Sequence, residues 1–195
     1  VWLIRGTGEN AGREIVVDTG FSAAMAAKRG REHLRCPTEG LSLLNINSEN
    51  IQDVVITHLH YDHVGNFDLF PAATLHLQDL EMNYATGRHM AKPVFSGAYE
   101  VEDVVGMVRR VYAGRVRFHD GDAELAPGVS VHLIGGHTRG LQVVRVRRGG
   151  GAMPAVRLSA ELMFHESRSA PHGPGRIPGK ITCQFLGVSP LGAQV

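Results

Sequence analysis

One stretch constrains this chain more than any other. The apolar run Asp53-Val54-Val55-Ile56-Thr57 passes, with no turn residue between, straight into His58-Leu59-His60-Tyr61-Asp62-His63. A short strand that is apolar on both faces has to be covered on both, which points to a layered α/β fold. On extended backbone His58 and His60 point to the same side, so both imidazoles reach one ion. If the chain turns two residues later, Asp62 and His63 reach a second ion beside the first. Imidazole and carboxylate are the donors zinc takes at about 2.0–2.2 Å, and three protein nitrogens leave it one open position, the arrangement of a catalytic site. A single histidine here would be a solvated turn. Three histidines and an aspartate in six residues, after a buried strand, are a metal motif.

The rest of the chain alternates strand and helix signals. Residues 1–4 and 14–17 are apolar runs on either side of a Gly-rich turn, the pattern of a hairpin closed by Asp18-Thr19-Gly20. Residues 21–29 are rich in helix formers and stop at Gly30, a C-cap. Residues 41–44 are expected to begin another helix, 74–77 to form a strand and 79–84 a helix. Over residues 101–112 the apolar positions 101, 104, 105, 108, 111 and 112 follow helical spacing. The period then becomes two. Residues 116–118 are expected to pair with 129–134, and 141–146 continue the pattern. His137 stands in Gly135-Gly136-His137-Thr138 at the end of a period-two strand, where glycines allow close approach of backbone. It is the natural third ligand beside His58 and His60.

Composition excludes several classes of function. Twenty Lys and Arg against 19 Asp and Glu leave a formal charge of +1. That gives no electrostatic footprint for nucleic acid or an anionic membrane. No run approaches the roughly 18 apolar residues of a membrane span, and no secretory leader pattern opens the chain. Cys36 and Cys183 are too few for a disulfide framework or a Cys-rich zinc module, so reduced thiols and a cytoplasmic location are expected. The chain opens at Val1 in a strand-like run, which suggests a natural start further upstream.

Val16-Val17-Asp18-Thr19-Gly20, then Thr57-His58-Leu59-His60-Tyr61-Asp62-His63-Val64-Gly65-Asn66, then Gly136-His137-Thr138 resemble the metallo-β-lactamase superfamily in content, order and spacing. Within it the chain looks most like the N-acyl homoserine lactonases, over roughly residues 1–148. The resemblance implies a four-layer αββα sandwich, incomplete at its C-terminal end, with two zinc ions per chain in the family and one or two here. It implies that a small ester or lactone is opened by metal-bound hydroxide. By position, His58, His60 and His137 match the first metal site. Asp62 and His63 match half of the second, and Asp62 is also the candidate catalytic proton donor. Asp18 matches a position beside the metal loops, where a carboxylate bonds backbone amides or a ligand histidine; a plain Asx turn is the equal alternative. A glyoxalase II-type thioester hydrolase uses the same string.

The chain departs from the family after residue 148. The family's second site takes a bridging Asp and a final His downstream, yet no Asp follows Asp122. Residues 149–195 are rich in Gly and Pro and are expected to be an atypical tail, aberrant (for example out of frame) or disordered, with one helix over 156–167. A tail lacking the family's strands would leave a sheet edge uncovered. It would also leave the second metal with Asp62 and His63 alone, making the chain a catalytically impaired metal-binding remnant.

Overall fold

A computed structural model describes residues 1–6 and 10–147, together with the backbone of two short strands at 156–158 and 182–185. In chain order the elements are β1 (Trp2–Arg5), β2 (Glu14–Val17), α1 (Ala23–Arg29), α2 (Pro37–Ser42), β3 (Asp53–Val55), α3 (Tyr61–Val64), β4 (Thr74–Gln78), α4 (Asp79–Ala85), α5 (Pro93–Ser96), α6 (Val101–Tyr112), β5 (Val116–His119), β6 (Ala123–Ala126), β7 (Val129–Leu133), β8 (Gln142–Val146), β9 (Val156–Leu158) and β10 (Thr182–Phe185). Two sheets result, ordered β10-β1-β2-β3-β4-β5 and β6-β7-β8-β9. The β1–β2 hairpin is antiparallel, whereas β2, β3, β4 and β5 run parallel, joined by helical crossovers.

Strand alternation explains the layering. Leu3, Val16, Val54 and Leu75 face the helices, where they meet Leu41, Leu59, Val64 and Met107. Their neighbours Ile4, Ile15, Val17 and Val55 face the second sheet and meet Ala126, Val129, Val131, Val144 and Val146. The parallel strands are therefore apolar on both faces, as the run at 53–57 requires. These residues build an α/β/β stack; the second helical layer of the expected sandwich falls outside the described residues. Helix α1 is closed by ordinary chemistry: Ser22 Oγ accepts from Met25 N, and Gly30 at φ 61° caps the C-terminus. Among the described residues no helix is long and apolar enough to cross a membrane.

Some expectations are corrected. Strand β5 pairs in parallel with β4, not with the segment 129–134, which instead pairs with β6 and β8 in the other sheet. Residues 41–44 do not begin a helix; they close α2, which starts at Pro37. In α6 the buried residue is Met107, while Val101 and Tyr112 at the helix ends are exposed. The helix expected over 156–167 begins instead as strand β9, antiparallel to β8, and 159–167 lie outside the described residues. Strand β10 pairs with β1, so the edge expected to be bare carries a partner.

Candidate metal centre

The parallel strands deliver their C-terminal ends to one place, where β3 continues through Ile56 and Thr57 into the histidine segment. Ile56 N donates to His76 O, and Gln142 N, from the second sheet, donates to Thr57 O at 3.0 Å. The loop is thus held from both sides when it reaches His58. His60 is the N-cap of the single-turn helix α3, which carries Asp62 and His63. His137 arrives from the β7–β8 connection, where Gly135 and Gly136 take positive φ.

His58, His60 and His137 each present a ring nitrogen within 4.8 Å of the others, the group of metal-capable side chains found among the described residues. His137 Nε2 lies 2.9 Å from His60 Nδ1. His58 and His60 are buried and His137 is exposed. His63 is in the same cluster, with its ring 4.0 Å from that of His58 and its Nε2 3.8 Å from Asp62 Oδ2.

The hydrogen bonds beneath the cluster orient the rings. Asp18, buried and at φ 57°, accepts from Thr57 N at 2.7 Å, from Thr57 Oγ1 at 2.9 Å, and bonds His63 Nδ1 at 2.8 Å. The Thr57 hydroxyl has one proton and gives it to Asp18, so toward His58 Nδ1, 3.1 Å away, it acts as acceptor. That places the proton of His58 on Nδ1 and leaves the Nε2 lone pair free. His58 Nε2 is buried and has no hydrogen-bond partner among the described residues. Buried polar atoms are rarely left so. A metal ion fits this observation, since it would take up that lone pair.

Charge follows the same logic. Burial, reinforced by the neighbouring imidazoles of His63, His60 and His137, pushes the pKa of His58 far below its ordinary value. Burial, then His137, His63 and Arg29, lower His60 to about 3. Both rings are neutral at pH 7 and present lone pairs, the form that ligates metal. For His63 burial opposes the charge, but Asp18 beside it outweighs burial and the pKa rises.

Asp18 is therefore more than a turn residue, since its carboxylate holds both Thr57 and His63. Tyr61 packs against Phe21 and under the Arg29 guanidinium. Glu81 and Tyr99 escaped the sequence reading. Glu81 is fully buried and accepts from Leu59 N, Tyr99 Oη, Thr138 Oγ1 and Gly140 N. Tyr99 stands edge-on to His60 at 4.6 Å, and burial, then Glu81, raise its phenol above the usual range. An acidic residue in a first helical turn is an ordinary surface feature, so the sequence carried no signal for Glu81.

Comparison with known proteins agrees with this geometry. The metallo-beta-lactamase superfamily model matches residues 1–152, and the chain belongs to that superfamily. It is similar to the N-acyl homoserine lactonase AiiB of Rhizobium rhizogenes, 32% identical over 114 residues that make up 56% of this chain and 40% of that one. It also resembles a probable metallo-hydrolase of Methanocaldococcus jannaschii, 41% identical over 46 residues covering 24% of this chain and 23% of the other. Among solved structures, a quorum-quenching N-acyl homoserine lactone lactonase shares the fold with TM-score 0.58 at 21% identity, over 74% of this chain and 55% of that one. AidC, a dizinc quorum-quenching lactonase, does so with TM-score 0.53 at 19% identity, over 71% and 50%. The chain spans about two-fifths of the length of the lactonase relative it matches.

Proposed function

We propose that this chain is a zinc-dependent hydrolase that opens the lactone ring of N-acyl homoserine lactones, with His58, His60 and His137 as the metal ligands. The observation that carries the metal assignment is the convergence of three ring nitrogens around a buried His58 Nε2 that no described residue satisfies. The substrate class rests on the lactonases among the relatives.

Bound zinc would supply Lewis-acid polarisation of the carbonyl and a water acidified to a pKa near 7. The chain's own groups do the rest. His58 and His60 stay neutral, and His58 keeps the lone pair of its buried Nε2 free. Asp18 holds the Nδ1–H of His63, so that His63 Nε2 faces Asp62. Asp62 is about one-quarter exposed and lies at the start of α3, where it can pass a proton to the departing ring oxygen. His63 and Asp62 form half of a second metal site.

The test is hydrolysis by the zinc-loaded chain of N-hexanoyl homoserine lactone against a glutathione thioester. Lactone opening that is lost in His58→Ala supports the proposal. Thioester cleavage alone transfers the chain to the glyoxalase II type. Retained zinc with no turnover of either makes it a metal-binding remnant.

A further inference from the structure

Glu81 lies outside the histidine motif and no step above uses it. It sits in the first turn of α4 with no exposed surface, and no Lys, Arg or His pairs with it among the described residues. A carboxylate withdrawn from water without a cation is tolerated only when its lone pairs are taken by donors. Here they are. Oε1 accepts from Leu59 N at 2.9 Å and Tyr99 Oη at 3.0 Å, and Oε2 accepts from Thr138 Oγ1 at 2.6 Å and Gly140 N at 3.1 Å.

The origin of these donors is what matters. Leu59 stands between His58 and His60, and Thr138 directly follows His137. Tyr99 presents its ring edge to His60, with ring planes at 87°. The fit is close, because a Cβ on Gly140 would lie 2.1 Å from Glu81 N. One buried anion thus touches the supports of all three histidines, which come from two loops almost eighty residues apart.

We propose that Glu81 is a positioning residue that locks the His58–His60 loop to the His137 loop, so that the three imidazoles converge before metal arrives. This rests on the reading that those histidines hold the metal. A carboxylate is required because four donors converge on it. Glutamine has the same shape but would turn its NH₂ toward two of them.

Two measurements on the full chain test the proposal, with Met107→Ala in α6 as a variant that loses core packing but none of the four donors to Glu81. In the metal-free chain, Glu81→Gln is expected to speed amide exchange at Leu59 and Gly140 more than Met107→Ala does. In cobalt(II) titrations against a competing chelator, Glu81→Gln is expected to bind about 10- to 100-fold more weakly, the usual loss when a support of a ligand is removed, whereas Met107→Ala stays near wild type. Affinity within about twofold of wild type, with both amides still protected, overturns the proposal. So does an equal loss in Met107→Ala. Should wild type bind no cobalt, the metal reading falls, and the exchange measurement alone decides whether Glu81 couples the loops. Should Glu81→Gln not fold, Thr138→Val removes the 2.6 Å donor with little change of shape, and the same two measurements decide.

Discussion

Asp18 shows how one residue sets the chemistry of two others. A non-glycine residue at φ 57° is uncommon, and aspartate is among the residues that tolerate that region. The bend turns its carboxylate back onto Thr57 and His63 just as β2 ends. Replacing Asp18 by Ala strips the carboxylate acceptor from two buried donors, Thr57 N and Thr57 Oγ1, and leaves His63 Nδ1, among the described residues, with only the Thr57 hydroxyl at 3.2 Å. The expected loss is about 1–3 kcal/mol of unfolding free energy, measured by urea denaturation, together with weaker metal binding in a chelator competition. Asp18→Asn keeps one acceptor oxygen and should lose less. The grouping of His58, His60 and His137 was foreseeable because a spacing of two on a strand, or a glycine pair before a histidine, is local information. The Asp18–Thr57 bond spans 39 positions and the Glu81–Gly140 bond 59, so no window of sequence contains them. Burial, which decides that such carboxylates must be satisfied, is visible only after the fold is.

Among the elements, strands β1 to β5, β7 and β8 and helices α1, α4 and α6 could be foreseen, whereas β6, β9, β10, the start of α2 and the choice of strand partner could not. Period two marks β5 and β7 as strands without saying which sheet takes them. The helical crossover through α6 decides it, because a strand that returns after a helix adds in parallel to the same sheet. The two sheets are stitched at the metal end by Gln142. Its Nε2 donates to Ile56 O at 2.8 Å and to His76 O at 3.0 Å, and its Oε1 accepts from Gln78 Nε2 at 2.9 Å. Gln142→Leu leaves these buried groups without their partner and should lower stability by about 1–3 kcal/mol; an unchanged urea midpoint would rule the stitch out as a source of stability. At β5, the last strand of the first sheet among the described residues, His119 Nε2 lies 3.0 Å from His76 Nδ1, and His76 Nε2 is 3.0 Å from Asp53, which also meets Arg13. Burial, then His76 and Arg117, lower His119 to about 4. Between the ordinary histidine value of about 6.5 and about 4, the unfolded chain takes up a proton here that the folded chain refuses, so stability falls as pH falls. Asp53 is held below its usual range by its bond to His76, so its contribution is present above the ordinary carboxylate value and is lost as pH falls below it. Urea midpoints of the metal-free chain from pH 7 to 4 should therefore drop, and His119→Gln should drop less over the interval 6.5 to 4.

For the whole molecule the question is how many ions it holds. The described residues gather one group able to bind metal, His58, His60 and His137, and beside it the pair Asp62 and His63. Two ligands are too few to hold zinc against water, whereas three with an open position suffice. Residues 123–195 hold no aspartate, so within this chain the described residues offer the second ion only the pair Asp62 and His63. We therefore expect elemental analysis of dialysed, chelator-free protein to give one zinc per chain. Two would mean that side chains outside the described residues complete the second site. Because the ligands converge only in the folded chain, the bound ion adds to folding free energy. At free zinc one-hundredfold above its dissociation constant the gain is about 2.7 kcal/mol. Removal of zinc with a chelator should lower the thermal midpoint reversibly, and the shift should vanish in His58→Ala while persisting, at a lower midpoint, in Gln142→Leu. That contrast separates the two contributions. Gln142 bonds both sheets whether or not metal is present, whereas the zinc-dependent part of the midpoint is expected to run through the histidines.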